Sequence, residues 1–274
     1  MLVNDPDVKL LVLIVLAAGL AGALWFFWDD IRVPYDGPQV TQPEAIVEQA
    51  PVRKGPIHPM ESLRASRSAN NDLVPLPPLD ESDSYFQLAL LDLFGTDLGN
   101  LLVNEALIDK FVATVDNLPR SHVAEKVRPV VRLASTFQTD IENGDDAITL
   151  SAANYDRYDT LVALITNANL DRVNETYRRF YPLLQESYVR LGYPSAYFND
   201  RVVEVIDHLI LTSEPGEPIY LVQPNVLYEF ADPDLQALSS GQKLLLRMGS
   251  EHAAKIKEVL RDLRVLIVAS PDAE

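Results

Sequence analysis

The chain has 274 residues, with 23 Lys and Arg against 40 Asp and Glu, which gives a formal net charge of −17. This charge argues against nucleic acid and anionic lipid headgroups as partners, because both require a basic surface. The sequence contains no cysteine and no phosphate-binding, dinucleotide-binding, serine-hydrolase or zinc-protease motif. We therefore expect neither a cofactor nor a metal site.

The first predicted element is an uncharged, apolar stretch, residues 10–28, which lies between Lys9 and Asp29. As a helix it is roughly 28 Å long, enough to cross the core of a bilayer, and it predicts a single-pass transmembrane anchor within residues 1–30. A cleavable signal peptide is the alternative, with Ala-Gly-Ala at 21–23 as its cleavage site. The aromatic residues at 25–28 resemble an interfacial belt and favour an uncleaved anchor.

The charges beside the stretch indicate its orientation. Lys9 and the α-amine precede it, and only Arg32 follows closely, so the positive-inside rule favours a cytoplasmic N-terminus. The rest of the chain is then periplasmic, on an inner-membrane anchor. Small residues spaced four apart, such as Ala18 and Gly22, would allow two anchors to pair in a homodimer, although Ala and Gly are common in membrane helices anyway.

Residues 31–80 hold nine of the nineteen prolines and predict a flexible, proline-rich linker. Proline fixes φ and donates no hydrogen bond, so a continuous helix or strand is not expected here. One interpretation is a spacer that holds a domain away from the membrane, and the other is a connection with no required length.

Residues 81–274 predict a compact, mainly α-helical domain without internal repeats. Capping residues and apolar spacing near 3.6 define the helices. We expect helices from Ser82 or Asp83 to Gly95, at 101–116, between Ser121 and Pro129, at 151–165, after the cap Asn169 to Gly192 with Pro182 inside, from Asn199 to Ile210, from Asp232, from Ser239 with Gln242 as a capping box, and from Ser250 to Ile267. Short extended pieces are expected at 130–133, 147–150 and 219–222, with a turn at 143–145.

Three residue pairs have the spacing of chemical sites. Glu204 and His208 lie one helical turn apart and could share a metal ion, but a contact between neighbouring side chains is the more common reason for this spacing. Asp156 and Asp159, like the Asp145–Asp146 pair, could serve glycoside hydrolysis, which needs two carboxyl groups at a set distance across a cleft. An acidic chain contains such pairs by chance, so we assign no catalytic residue.

The segment 177–207 is the best candidate for a binding surface, because it is rich in tyrosine and arginine, which are favoured at binding hot spots. The alternative, which we favour, is structural: the aromatic rings fill the core and the arginines pair with nearby carboxylates. The candidate binding residues are Tyr177, Arg178, Arg179, Tyr181, Tyr193, Tyr197, Asn199, Asp200 and Arg201.

The same region resembles an uncharacterised proteobacterial family that is described only as a domain of unknown function. The resemblance covers roughly residues 75–268 and rests on the strings at 177–185, 191–194, 197–207, 221–224, 228–233 and 240–249. It implies an N-terminal anchor, a proline-rich linker and one domain in a bacterial envelope protein, but no activity, cofactor or catalytic residue.

Together these features predict a membrane-anchored envelope protein. Its anchor at 10–28 contacts the bilayer, and its periplasmic helical domain binds another envelope component, which we expect to be a protein, in a scaffold, adaptor or assembly role. The alternative is an enzyme of the envelope, such as a peptidoglycan hydrolase.

Overall fold

A computed structural model describes residues 55–60, 75–95, 98–99, 102–129, 137–142, 147–224 and 227–269. The anchor predicted at 10–28 lies outside these ranges. In the part of the chain that is described, no helix is long and apolar enough to cross a bilayer.

The described residues are mainly helical, as predicted. The chain forms α1 (Asp83–Phe94), α2 (Leu107–Asn117), α3 (Asp159–Thr166), α4 (Leu170–Arg190), α5 (Phe198–Ile210), α6 (Pro233–Ala237), α7 (Ser240–Arg247) and α8 (Ser250–Val268). Short 3₁₀ turns lie at Leu79–Glu81, Glu125–Val127, Ala152–Asn154 and Asp156–Tyr158.

A small antiparallel sheet accompanies the helices. It consists of β1 (Thr139–Glu142), β2 (Ala147–Leu150), β3 (Tyr220–Val222) and β4 (Glu229–Phe230), in that spatial order. The strands β2 and β3 match the extended pieces expected at 147–150 and 219–222, whereas β1 and β4 were not predicted. The turn expected at 143–145 and the extended piece expected at 130–133 fall outside the described residues.

Helix packing places one face of α5 in the centre of the main core. Helix α8 packs against α3, α4 and α5, while α2 packs against α4 and α5. The apolar stripe predicted on α8 is buried throughout, with its members Ile256, Val259, Leu260, Leu263 and Ile267. Helix α5 thus lies between α2 and α8, and its N-terminal turn and outer face line the site described below.

Several predicted helix caps are confirmed. The side chain of Asn169 accepts a hydrogen bond from the Arg172 N–H and begins α4. Ser239 and Gln242 form the expected capping box of α7. Helix α4 runs without a break through Pro182 and ends before Gly192, whose φ of 119° only glycine adopts readily.

Three helix predictions were wrong in detail. Helix α2 begins at Leu107 instead of residue 101, because the N–H groups of Ala106 and Leu107 bind the carboxylate of Asp83. The helix expected from Ser151 is two 3₁₀ turns followed by α3. The helix expected between Ser121 and Pro129 is a single 3₁₀ turn, Glu125–Val127.

The range predicted as linker contains two described pieces. Residues 75–80 lead into α1, and Leu79 is buried in the main core. Residues 55–60 lie against the helical domain, with Met60 packed on the core. The described fold therefore begins before residue 81, and residues 55–60 form part of the candidate site.

Candidate functional site

A peptide segment is held at the N-terminal end of α5 by a carboxylate. The two oxygens of Asp200 accept hydrogen bonds from the backbone N–H groups of Ile57 (2.9 Å) and His58 (2.7 Å). The side-chain amide of Asn199 donates to the carbonyl oxygen of His58 at 2.9 Å. Asn199 and Asp200 therefore hold three backbone groups of residues that lie more than 140 positions earlier in the chain.

Buried phenols fix the orientation of this pair. The hydroxyl of Tyr177 donates to the Asn199 Oδ1 at 3.1 Å, which leaves the amide nitrogen of Asn199 directed at the His58 carbonyl. Asn199 is fully buried. Burial raises the pKa of Tyr177 well above its usual value and that of Tyr181 to about 12, so both phenols remain protonated donors at neutral pH.

The turn before α5 is held by α4. The Oε1 of Gln185 accepts a hydrogen bond from the Phe198 N–H at 2.7 Å and lies 3.2 Å from the Tyr181 hydroxyl. The amide of Gln185 donates to the carbonyl of Ala196 at 2.8 Å. The bond to Phe198 occupies an N–H group that a helix N-terminus otherwise leaves free.

A second polar network begins at Arg201, the next residue of α5, and surrounds the buried Asp116 of α2. Arg201 donates to the Asp116 carboxylate (2.9 Å) and to its backbone carbonyl (2.7 Å). The same carboxylate accepts from Arg120 (2.7 Å) and from the Tyr193 hydroxyl (3.1 Å). Arg201 also pairs with Glu204 at 2.8 Å. A buried carboxylate with this many donors is well compensated, so this network has a structural role.

Beside the held segment the surface opens into a groove of about 660 Å³. One wall is the outer face of α5, and the backbone and side chains of 55–58 contribute to another. The residues that line it are Gly55, Ile57, His58, Tyr188, Ser195, Ala196, Tyr197, Asp200, Arg201, Val203, Glu204 and Asp207. We refer to this feature as the α5 groove.

The predicted binding residues divide into three groups. Tyr197, Asp200 and Arg201 line the α5 groove, and Asn199 lies next to it. Tyr177, Tyr181 and Tyr193 support these residues from behind through hydrogen bonds. Arg178 and Arg179 are half-buried on α4 and are not among the described residues that line the groove.

Sequence reasoning missed several groups of this site. Asp116, Gln185 and the segment 55–60 are distant in the chain, and no local pattern connects them with α5. Glu204 and Asp207 carried a usable signal, because with Asp200 they occupy positions i, i+4 and i+7, one face of a helix.

Glu204 and His208, considered for a shared metal, bind different partners. Glu204 pairs with Arg201, and the Nε2 of His208 lies 2.8 Å from the Ser239 hydroxyl. Burial lowers the pKa of His208, and the charge of Arg201 lowers it further, against an opposing effect of Glu204. Within the described ranges, no group of three or more His, Asp and Glu side chains could hold a metal ion.

Comparison with known proteins gives a family for the chain. Residues 107–264 match the model of a family described as "Protein of unknown function (DUF3014)". This match covers more than half of the chain, so the protein belongs to that family, in agreement with the resemblance to a domain of unknown function. No curated protein and no solved structure matches the chain.

Proposed function

We propose that the protein is a membrane-anchored binding protein of the bacterial envelope, whose helical domain holds another envelope protein in the α5 groove. The observation that carries this proposal is the attachment of 55–60 to Asn199 and Asp200. That end of the groove already binds a peptide backbone through directed, charge-assisted hydrogen bonds. A neighbouring open groove provides room for a segment of a partner.

The charge of the groove favours a basic partner. Asp200, Glu204 and Asp207 lie along the same face of α5. Arg201 pairs with Glu204 and Arg264 with Asp207, which leaves the negative charge of Asp200 in surplus. The carboxylate of Asp200 binds neutral N–H groups, so no positive charge is paired with it in the described contacts. A Lys- or Arg-bearing segment would complement this surface, with the partly exposed Tyr197 supplying rigid aromatic contact area.

The anchor supplies the location. We propose that residues 10–28 cross the inner membrane with the N-terminus in the cytoplasm, so that the helical domain lies in the periplasm. A C-terminal alkaline phosphatase fusion tests this orientation, because phosphatase is active only after export. High phosphatase activity and a dark C-terminal green fluorescent protein fusion support the proposal. The opposite pair of results contradicts it.

The anchor also supports pairing of two chains through its small residues. If this face mediates a homodimer, Gly19→Ile and Gly22→Ile will abolish self-association of the 10–28 segment in a bacterial reporter. An unchanged reporter signal contradicts the homodimer. The outcome does not affect the α5 groove, which lies in another part of the chain.

The alternative, an envelope hydrolase, requires two opposed carboxyl groups, one of them able to give up a proton. The carboxylates of the α5 groove are already bound. Asp200 holds the segment 55–60, Glu204 pairs with Arg201, and Asp207 pairs with Arg264. Asp159 lies 3.1 Å from the Nε2 of His252, and the Asp145–Asp146 pair lies outside the described residues. These contacts favour binding over hydrolysis.

Photo-crosslinking in intact cells tests the proposed function. A photoreactive amino acid replaces Tyr197 in the groove or, as the control, the exposed Glu258 on α8. We expect one dominant envelope-protein adduct from position 197 that is absent from position 258, with both proteins at equal abundance. Failure to form any adduct at 197, or the same adducts at both positions, contradicts the proposal.

A further inference from the structure

The segment held by α5 contains two prolines on either side of two other residues, in the tetrapeptide Pro56-Ile57-His58-Pro59. Proline has no N–H group, so this tetrapeptide has only two backbone donors, those of Ile57 and His58. Both donors bind the carboxylate of Asp200. The backbone donors of the tetrapeptide are therefore fully used by one side chain of the helical domain.

The backbone of the tetrapeptide must bend to make this contact. In an extended chain, successive residues point to opposite sides, so two consecutive N–H groups cannot reach one carboxylate. Here the backbone bends at Ile57 and His58, which brings the two N–H groups to the same side. Each of the two N–H groups then reaches one oxygen of the Asp200 carboxylate.

The receiving groups are positioned by the domain and do not depend on the side chains of the segment. Tyr177 fixes Asn199, and Asp200 belongs to the first turn of α5. The hydrogen bonds reach only backbone atoms, while the side chain of Ile57 remains 56% exposed. The contact thus recognises the backbone groups between the two prolines and no particular side chain at Ile57 or His58.

We propose that Asn199 and Asp200 form a binding site for a bent Pro-x-x-Pro segment, and that residues 56–59 occupy it as a releasable intramolecular ligand. This inference rests on the same contact as the proposed function, but its test needs no partner protein, so the two can fail separately. Attachment in cis gives the segment an effective concentration in the millimolar range, so a free peptide of the same kind competes only at comparable concentrations.

Distance measurements by electron spin resonance on the full chain test the proposal. The chain has no cysteine, so spin labels at Gly55→Cys and Ala254→Cys are specific. A Cβ at Gly55 meets nothing within 4 Å, and Ala254 is exposed on α8. We expect a single narrow distance distribution in this doubly labelled parent protein.

Two matched substitutions at Ile57 separate backbone from side-chain recognition. Ile57→Ala keeps the N–H group and will preserve the narrow distribution. Ile57→Pro removes the N–H group and will replace it with a broad distribution at longer distances, as will Asp200→Asn, which removes the charge and one acceptor. Unchanged thermal unfolding of Ile57→Pro will show that the domain itself remains folded.

A synthetic peptide of residues 53–62 then tests whether the segment is exchangeable. Added at millimolar concentration to the parent protein, it will convert part of the narrow population to the broad one. The same peptide with N-methylated Ile57 will be at least about tenfold less effective, since it lacks a hydrogen bond to a charged group. Narrow distributions in both Ile57→Pro and Asp200→Asn would overturn the proposed site. No effect of the unmodified peptide would overturn the exchange.

Discussion

Arg201 on α5 and Asp116 on α2 are joined twice, once through the carboxylate and once through the backbone carbonyl of Asp116. Asp116 is 2% exposed, so its charge depends on these donors and on Arg120 and Tyr193. This relationship fixes α5 against α2 just below the α5 groove. Arg201, a candidate for direct binding, thus has a structural contact in addition to its place in the lining of the groove.

Replacement of Arg201 will therefore destabilise the domain. Arg201→Ala leaves a buried carboxylate with fewer donors, and we expect the free energy of unfolding to fall by about 2–3 kcal/mol. Urea denaturation of the purified protein measures this change. The control is Arg172→Ala, which removes an exposed ion pair with Asp92 and should cost at most about 1 kcal/mol. Equal losses in the two variants would contradict the structural role of Arg201.

Asp83 connects two helices, and its removal will weaken the second of them. Its carboxylate accepts hydrogen bonds of 2.7 Å from the N–H groups of Ala106 and Leu107 at the start of α2. We expect Asp83→Ala to lower the free energy of unfolding by about 1–2 kcal/mol, the usual effect of losing a helix cap. Asp80→Ala, which removes an exposed contact with Arg190, is the control and should change stability by less than about 1 kcal/mol. Loss of stability only in the control would refute the capping role.

Gly249 lies where a side chain cannot be placed. Its φ is 81°, and an added Cβ would lie 2.9 Å from two ring atoms of Tyr155. Gly249→Ala will reduce the free energy of unfolding by about 2 kcal/mol or more, through backbone strain and overpacking. A Cβ at Gly216 meets nothing within 4 Å, so Gly216→Ala will be close to neutral. Thermal unfolding distinguishes the two, and a neutral Gly249→Ala would contradict the packing described for α8 and Tyr155.

His208 predicts a pH dependence of stability. Burial, together with the charge of Arg201, lowers its pKa in the folded state below the ordinary value of 6.5. The unfolded chain then binds a proton more readily, so the contribution of His208 is fully present above pH 6.5 and is lost as the pH falls through the folded pKa. His208→Gln should reduce the difference in unfolding free energy between pH 7.5 and 5.5, as measured by urea denaturation. An unchanged difference would contradict the shift.

Local chemistry accounts for the elements that were predictable from the sequence. Asn169, Ser239 with Gln242, and Gly192 act within one or two turns of their own positions, so their patterns revealed the helix ends. Helix α2 was placed too early because its start depends on Asp83, a residue more than twenty positions away. The edge strand β1 has an exposed Ile141 and carries little periodic signal.

The candidate site was predictable only in part, because some of its contacts join residues that are distant in the sequence. Asp200, Arg201 and Tyr197 share one end of a helix, and composition alone pointed to them. The structural contact of Arg201 depends on Asp116, which no local pattern links to α5. The attachment of 55–60 was unpredictable, because a proline-rich segment gives no indication of its tertiary partner.

The proposed function of the helical domain is to bind a partner in the α5 groove. The most direct test is the yield of the position-197 photo-adduct in cells when a charge is reversed inside or outside the groove. Glu204→Lys places a positive charge in the groove, and Glu258→Lys makes the same change on the exposed face of α8. We predict that Glu204→Lys abolishes the adduct and Glu258→Lys retains it, at equal protein abundance. An adduct that persists in Glu204→Lys, or is lost equally in both variants, would contradict the claim.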